Sequence, residues 1–184
     1  MSWDEAAATF DNEPDHGLRD PAVRAAWAAV LLPRLPSVRS RIADLGCGTG
    51  SVSALFTEAG HKVCGVDQSP RMLEIAASKG GAEFILGDAA DPPLTPKSFD
   101  VVFTRHVLWT LPAEAVGRWV ELLRPGGRLV LVEGRWSTGA GLTAEQCRRL
   151  VLRHRREAVV TPLTDPALWG GPIDDERYVL VSAV

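Results

Sequence analysis

The chain of 184 residues is poor in sulfur and in tyrosine: three cysteines, two methionines, one tyrosine. Cys47, Cys64 and Cys147 stand far apart with no C-x-x-C pair. That excludes a disulfide-stapled secreted scaffold and fits free thiols in a reducing compartment. The four histidines, His16, His61, His106 and His154, are scattered without metal-ligand spacing, so the expected metal complement is none. No basic stretch followed by an apolar core opens the chain, and no run approaches the length of a membrane span. The expectation is a cytoplasmic protein without membrane attachment. A net charge of −3 gives no global pull toward nucleic acid or an anionic surface. No G-x-S-x-G elbow is present, which argues against a hydrolase.

What is present is a regular alternation of elements within a length that suits one domain. Ser2-x-x-Glu5 has the form of a capping box and predicts a short opening helix, broken by the polar stretch Asp11 to Gly17. Asp20-Pro21 supplies an N-cap and an N1 proline for a second helix, with Val23, Trp27, Val30 and Leu31 on one face. From residue 41 onward strands and helices alternate. Strands are expected at 42–45, 62–66, 83–86, 100–103 and 128–132, with two more at 158–161 and 178–183. Helices are expected after Gly50, after Ser69-Pro70, from about Pro112 to Leu123, and from Thr143 to about Arg155. The apolar runs are continuous, as two-sided burial requires. The predicted class is α/β: a doubly wound, mostly parallel seven-stranded sheet with helices on both faces and the last strand antiparallel. Residues 1–40 form an expected helical lid and 41–184 the ligand-binding domain.

The most informative run is Ala43-Asp44-Leu45-Gly46-Cys47-Gly48-Thr49-Gly50-Ser51, between an apolar strand and an amphipathic helix. Glycines on alternate residues allow a sharp turn and a close backbone approach to a ligand. The G-x-G-x-x-G order of a dinucleotide site fails, because Ser51 stands where the third glycine is wanted. Asp44 would repel a phosphate and attract an ammonium. A nucleoside carrying an amino acid, such as S-adenosylmethionine, fits better than a dinucleotide. In a doubly wound sheet ligands bind beyond the carboxyl ends of the strands. There lie the glycine turn, then Asp67, Asp88 and the pair Arg105-His106. Asp67, seventeen residues past Gly50, is placed to accept from the vicinal hydroxyls of a ribose. Any one such acid could equally cap a helix or sit in a solvated loop.

The acidic-x-Gly-x-Gly-x-Gly run with Asp67 resembles the cofactor signature of the class I S-adenosylmethionine-dependent methyltransferases. So do Gly87-Asp88-Ala89, Asp67-Gln68-Ser69-Pro70-Arg71-Met72-Leu73, Phe99-Asp100-Val101-Val102 and Leu123-Arg124-Pro125-Gly126-Gly127-Arg128-Leu129. The likeness runs from Arg41 to Glu133 and is to the small-molecule enzymes of the ubiquinone and menaquinone biosynthesis type. It implies S-adenosylmethionine as cofactor and S-adenosylhomocysteine as product. It also implies a cofactor set of Asp44, Gly46, Cys47, Gly48, Gly50, Asp67, Gln68, Met72, Asp88, Ala89 and Arg105. Asp88 would accept from the adenine amine and Met72 would pack on the ring; ordinary helix core is the other reading of Met72.

The implied reaction is methyl transfer to an oxygen, nitrogen or carbon of a small-molecule acceptor, in which positioning dominates. His106 is the best-placed base, with a packed or solvated loop histidine as the alternative; His16 could reach substrate from the leading segment. Trp109 and Trp136 fall on the ligand edge as an aromatic wall for the acceptor, and Phe10 lies on the lid. The Asn/Asp-Pro-Pro-aromatic run of amino-methylating nucleic-acid enzymes is replaced by Arg105-His106-Val107-Leu108. The arginines of 148–156 read as a solvated face, so no nucleic-acid partner is expected. Two other readings stay open: a non-catalytic S-adenosylmethionine-binding regulatory domain, and a nicotinamide-dependent oxidoreductase. Oligomeric state is not legible.

Overall fold

The computed structural model describes residues 2–183; Met1 and Val184 lie outside the described residues. Seven strands form one sheet in the order β3-β2-β1-β4-β5-β7-β6. They are β1 (Arg41–Leu45), β2 (Lys62–Asp67), β3 (Glu83–Leu86), β4 (Phe99–Arg105), β5 (Leu123–Arg135), β6 (Val159–Pro162) and β7 (Glu176–Ser182). The first five run parallel; β7 pairs antiparallel with both β5 and β6. The expected architecture and the reversed last strand are both present. The Arg-Pro-Gly-Gly turn does not separate helix from strand. It bulges out of β5, where the pairing with β4 jumps from Leu123 to Arg128.

Seven helices accompany the sheet: α1 (Trp3–Phe10), α2 (Pro14–Gly17), α3 (Pro21–Leu31), α4 (Ser51–Glu58), α5 (Pro70–Lys79), α6 (Ala115–Leu122) and α7 (Ala144–Leu152). The predicted caps form. Ser2 and Thr143 close capping boxes, and the side chains of Asp20 and Ser69 accept from first-turn amides. Each such cap is worth about 1 kcal/mol. Two elements differ from expectation. The stretch after α1 contains the one-turn helix α2, and α7 stops at Leu152, which leaves His154 exposed against Gly117 instead of at the core edge.

Both faces of the sheet are buried, which is why its central strands read as unbroken apolar runs. On one face Trp119 of α6, Leu131 and Tyr178 are completely or almost completely covered; on the other, Trp27 of α3, Phe56 of α4 and Phe103 are. Burying each such side chain contributes on the order of 2 kcal/mol. Helix α3 is therefore core rather than cover. The order reverses between β1 and β4: the chain leaves β1 toward β2 and β3, then returns to the far side of β1 as β4. The carboxyl ends of the strands splay there and open a crevice.

Candidate active site

A cavity of about 270 Å³ occupies that crevice. Its floor begins with the glycine turn. Gly46, Gly48 and Gly50 all adopt positive φ (68°, 53° and 74°), each for a different reason. A Cβ on Gly46 would lie 2.5 Å from Val107 Cγ2, and one on Gly50 would lie 2.8 Å from Ala76 Cβ, where α4 meets α5. Gly48 faces the cavity, where a Cβ would meet only the Phe10 ring, at 3.4 Å. The amides of Gly46 and Cys47 donate to the Val66 carbonyl at 2.7 and 3.1 Å and tie the turn to β2.

Asp67, the last residue of β2, is buried at the cavity wall. One carboxylate oxygen accepts from the Gly48 amide at 2.8 Å and the other from the Ser69 amide at 2.9 Å. Burial pushes its pKa up, while those two amides pull it down. Each oxygen keeps a second lone pair for a ligand hydroxyl. Gln68, Met72, Asp88 and Ala89 continue the same wall. Asp88 also accepts from the Ala90 amide at 2.8 Å, so the turn-capping role and the cavity position coexist in one residue. This set of a bare backbone turn, a carboxylate pair and an apolar thioether fits a nucleoside bearing an amino acid.

Three residues of the expected cofactor set do not line the cavity. Asp44 lies beneath the turn, where Ser53 Oγ donates to it at 2.5 Å and burial lifts its pKa to about 6. Its carboxylate does not reach the cavity. Cys47 turns its sulfur toward β2 and β3, against the backbone of Gly65, with burial pushing the thiol pKa up. Gly50 serves helix packing.

The far end of the cavity is lined by Phe10, His16, Arg105, His106, Trp109 and Trp136. Sequence reading missed Val107, Thr110 and Leu111, which a 3-10 turn at Leu108–Thr110 brings to the same wall. Arg105 is turned under the leading segment: its guanidinium donates to the Asp15 carbonyl and lies 5.1 Å from the Trp27 ring centre. His106 has φ 60°, rare for a residue with a side chain. Its amide donates to Val132 at 2.8 Å, and the next two amides, Val107 and Leu108, donate to one carboxylate oxygen of Glu133 at 2.9 and 2.7 Å. Glu133 is fully buried, and that burial lifts its pKa to about 8. No motif had marked it; the available signal was an acid ending the apolar run Leu129–Val132.

The His106 ring sits edge-on to Trp136 (5.3 Å) and stacked over Trp169 (6.0 Å). Its Nε2 is buried with no partner. Burial, then Arg105, then Arg177 hold its pKa well below the ordinary value. Though the histidines are scattered in sequence, folding brings Asp15, His16 and His106 together, with one ligand-type atom from each within 4.8 Å of the others. Linear spacing could not show a group whose members lie ninety residues apart. Arg105 and Arg177 beside it oppose a doubly charged cation by like-charge repulsion.

The leading segment lies across the opening. Asp4 accepts from the Ser69 hydroxyl and, at 3.3 Å, from the Arg71 amide. Asp11 is paired with Lys79 at 2.7 Å and accepts from the Thr49 hydroxyl. The Phe10 and His16 rings stack at 4.3 Å, and Trp3 lines the cavity with them.

Residues 43–131 match the family model described as a methyltransferase domain. Over that stretch, a little under half of its length, the chain is similar to methyltransferases. It is 39% identical over 106 residues to an uncharacterized methyltransferase of Mycobacterium tuberculosis, an alignment covering 56% of this chain and 42% of that protein. It is 35% identical over 138 residues to a trans-aconitate 2-methyltransferase of Streptomyces coelicolor, covering 68% of this chain and 45% of that one. The chain thus spans less than half the length of these two curated relatives. A solved S-adenosylmethionine-dependent methyltransferase of Thermotoga maritima shares the fold, with a TM-score of 0.71 and 20% identity, over 96% of this chain and 98% of that one.

Proposed function

We propose that the domain transfers a methyl group from S-adenosylmethionine to a small-molecule acceptor. The observation that carries this reading is Asp67: a buried carboxylate bonded to the Gly48 amide, with lone pairs left toward a cavity that Met72 and Asp88 also line. In this reading Asp67 holds the ribose, Asp88 and the Ala89 backbone hold the adenine edge, Met72 packs on the base, and the open face of Gly46 and Gly48 receives the aminoacyl arm. Gln68 lies beside the ribose. Asp44 favours the ammonium through space. The bound cofactor supplies a methyl group on a positively charged sulfur, and the thioether leaves.

The acceptor end belongs to Trp109, Trp136 and Phe10, with His106 as base and His16 beside it. In this reading excluding water is the task of residues 3–17 of the leading segment, while α3 packs into the core. The printed names of relatives that act on small acids, trans-aconitate 2-methyltransferase among them, support a small acceptor. Three free cysteines, with no helix among the described residues long and apolar enough to cross a membrane, support a cytoplasmic setting. The lack of a nucleic-acid motif supports a domain without that partner.

Calorimetric titration with S-adenosylhomocysteine, with reduced nicotinamide dinucleotide as the control, tests the reading. Binding of the first and not the second is expected; the reverse would remove it. Transfer of labelled methyl groups to any acceptor separates the enzyme from a binding domain.

A further inference from the structure

We infer that the acceptor is a flat, conjugated molecule methylated on an acidic hydroxyl, a phenol or an enol, whose oxygen is received between His106 and His16. The inference rests on the methyl-transfer reading above and adds the atom and the substrate class. Three features of the far end of the cavity carry it.

The first is what the buried cluster lacks. His106 Nε2, His16 Nδ1, and Nε and Nη1 of Arg177 are buried without partners, as are single oxygens of Asp175, Glu133 and Thr104. The two ring nitrogens, both on residues that line the cavity, call for an oxygen from outside the chain. A ring nitrogen of His16 and one of His106 lie within 4.8 Å, a gap that a single oxygen spans with a hydrogen bond to either side.

The second is charge. The groups facing His106 are Arg105 at its own strand end, Arg177 on β7, and His16 with Asp15 on the leading segment. Asp175 is paired with Arg177 at 3.0 Å, and Asp15 faces His16 at 3.8 Å while its backbone holds Arg105. Neither Asp15 nor Asp175 lines the cavity, so an ammonium acceptor meets no carboxylate at this end. Burial first, and then the guanidiniums, keep the His106 imidazole neutral, which is the form that takes a proton. A carboxylic acid, ionised already, would need no such group.

The third is shape. Trp109, Trp136 and Phe10 line this end, and Trp136 is fixed by the Arg177 guanidinium 4.8 Å from its ring centre. Flat walls suit a ring. The constrained turn at His106, with positive φ and its following amides held by Glu133, fixes the imidazole at that wall.

In the step so formed, the hydroxyl proton passes to the imidazole nitrogen of His106. The oxygen bonds to the methyl carbon as the bond from carbon to sulfur breaks, and the electron pair of that bond stays on sulfur. Charge balances: a positive sulfur becomes a neutral thioether and a neutral imidazole becomes an imidazolium.

The test uses the full chain with three probes of one shape: 4-nitrophenol, 4-nitrobenzoic acid and 4-nitrobenzylamine. Binding is read by calorimetry and, for the phenol, by its visible absorbance with S-adenosylhomocysteine present; transfer is read by labelled methyl groups. Tightest binding of the phenol, a red shift marking its ionised form, and O-methylation are expected. His106→Asn, which tolerates the positive φ, should weaken the phenol by about tenfold or more, as loss of a hydrogen bond to a charged group predicts. It should leave S-adenosylhomocysteine affinity unchanged. Preference for the amine or the acid, or an H106N variant that binds the phenol as wild type does, would overturn the inference and leave the methyl-transfer reading standing. No binding of S-adenosylhomocysteine by the wild type would remove that reading itself.

Discussion

The two ends of the cavity are built differently. The cofactor end comes from sequence neighbours: Gly46 to Gly50 form one turn, Asp67 to Met72 one strand end and helix start, and Gly87 to Ala89 one loop. Each piece carries its own reason for its shape, and three parallel strands set the pieces side by side. The acceptor end is assembled from distant segments. Phe10 and His16 come from the leading segment, Arg105 to Leu111 from beyond β4, Trp136 from beyond β5, and Arg177 with Trp169 stand behind them. A local end stays the same while a composite end changes with any one contributor. That is how one scaffold can keep its cofactor and vary its acceptor.

The contrast can be broken most forcefully at Asp67. Asp67→Ala removes a ribose acceptor and leaves the Gly48 and Ser69 amides without theirs. The expected loss is about a hundredfold or more in S-adenosylhomocysteine affinity by calorimetry, from two charge-assisted hydrogen bonds. Next is Gly46→Ala, which puts a Cβ at positive φ 2.5 Å from Val107. A cost of about 2 kcal/mol or more is expected, lowering the melting temperature by roughly 5 °C, because both the turn and the loop carrying His106 must shift.

Glu133 sharpens the comparison, since it serves the acceptor end from inside the core. Its carboxyl, ordinarily near 4.5, is raised to about 8 by burial. The folded state therefore holds that proton more tightly than the unfolded state. The stability so gained is complete below the unfolded value and is lost as pH rises toward the folded one. Glu133→Gln keeps a carbonyl for the Val107 and Leu108 amides and has no proton to lose. Melting curves should coincide below about pH 4 and separate by about pH 8, with E133Q the more stable. A wild type no less stable than E133Q at the upper pH would contradict the assignment. The smallest effect belongs to the lid: Asp11→Asn removes the charge facing Lys79, a pair only partly exposed. It should speed S-adenosylhomocysteine release by about fivefold in stopped flow, with equilibrium affinity changed by no more than that factor.

The same contrast explains what could be read from the chain. The capping residues Ser2, Asp20, Ser69 and Thr143, the apolar strand runs and the glycine turn act within a few residues, so the order of elements and one wall of the cavity were legible. Asp44 and Cys47 do not line the cavity, because a motif gives spacing but not the side to which a side chain turns. One lies beneath the turn and the other turns toward β2 and β3. The Asp15, His16 and His106 group could not be seen at all. Its members meet in the fold, where Arg105 at the end of β4 reaches the Asp15 carbonyl and Phe10 stacks on His16 within the leading segment. Glu133 escaped notice for a related reason, since its role is set by two amides of a loop 25 residues earlier in the chain.

The most direct measurement is a crystal structure of the chain with S-adenosylhomocysteine. The account predicts ribose hydroxyls within hydrogen-bond distance of Asp67, the adenine against Met72 and Asp88, and the sulfur turned toward Trp109, Trp136 and His106. A ligand bound elsewhere, or a ribose whose hydroxyls avoid Asp67, would contradict it.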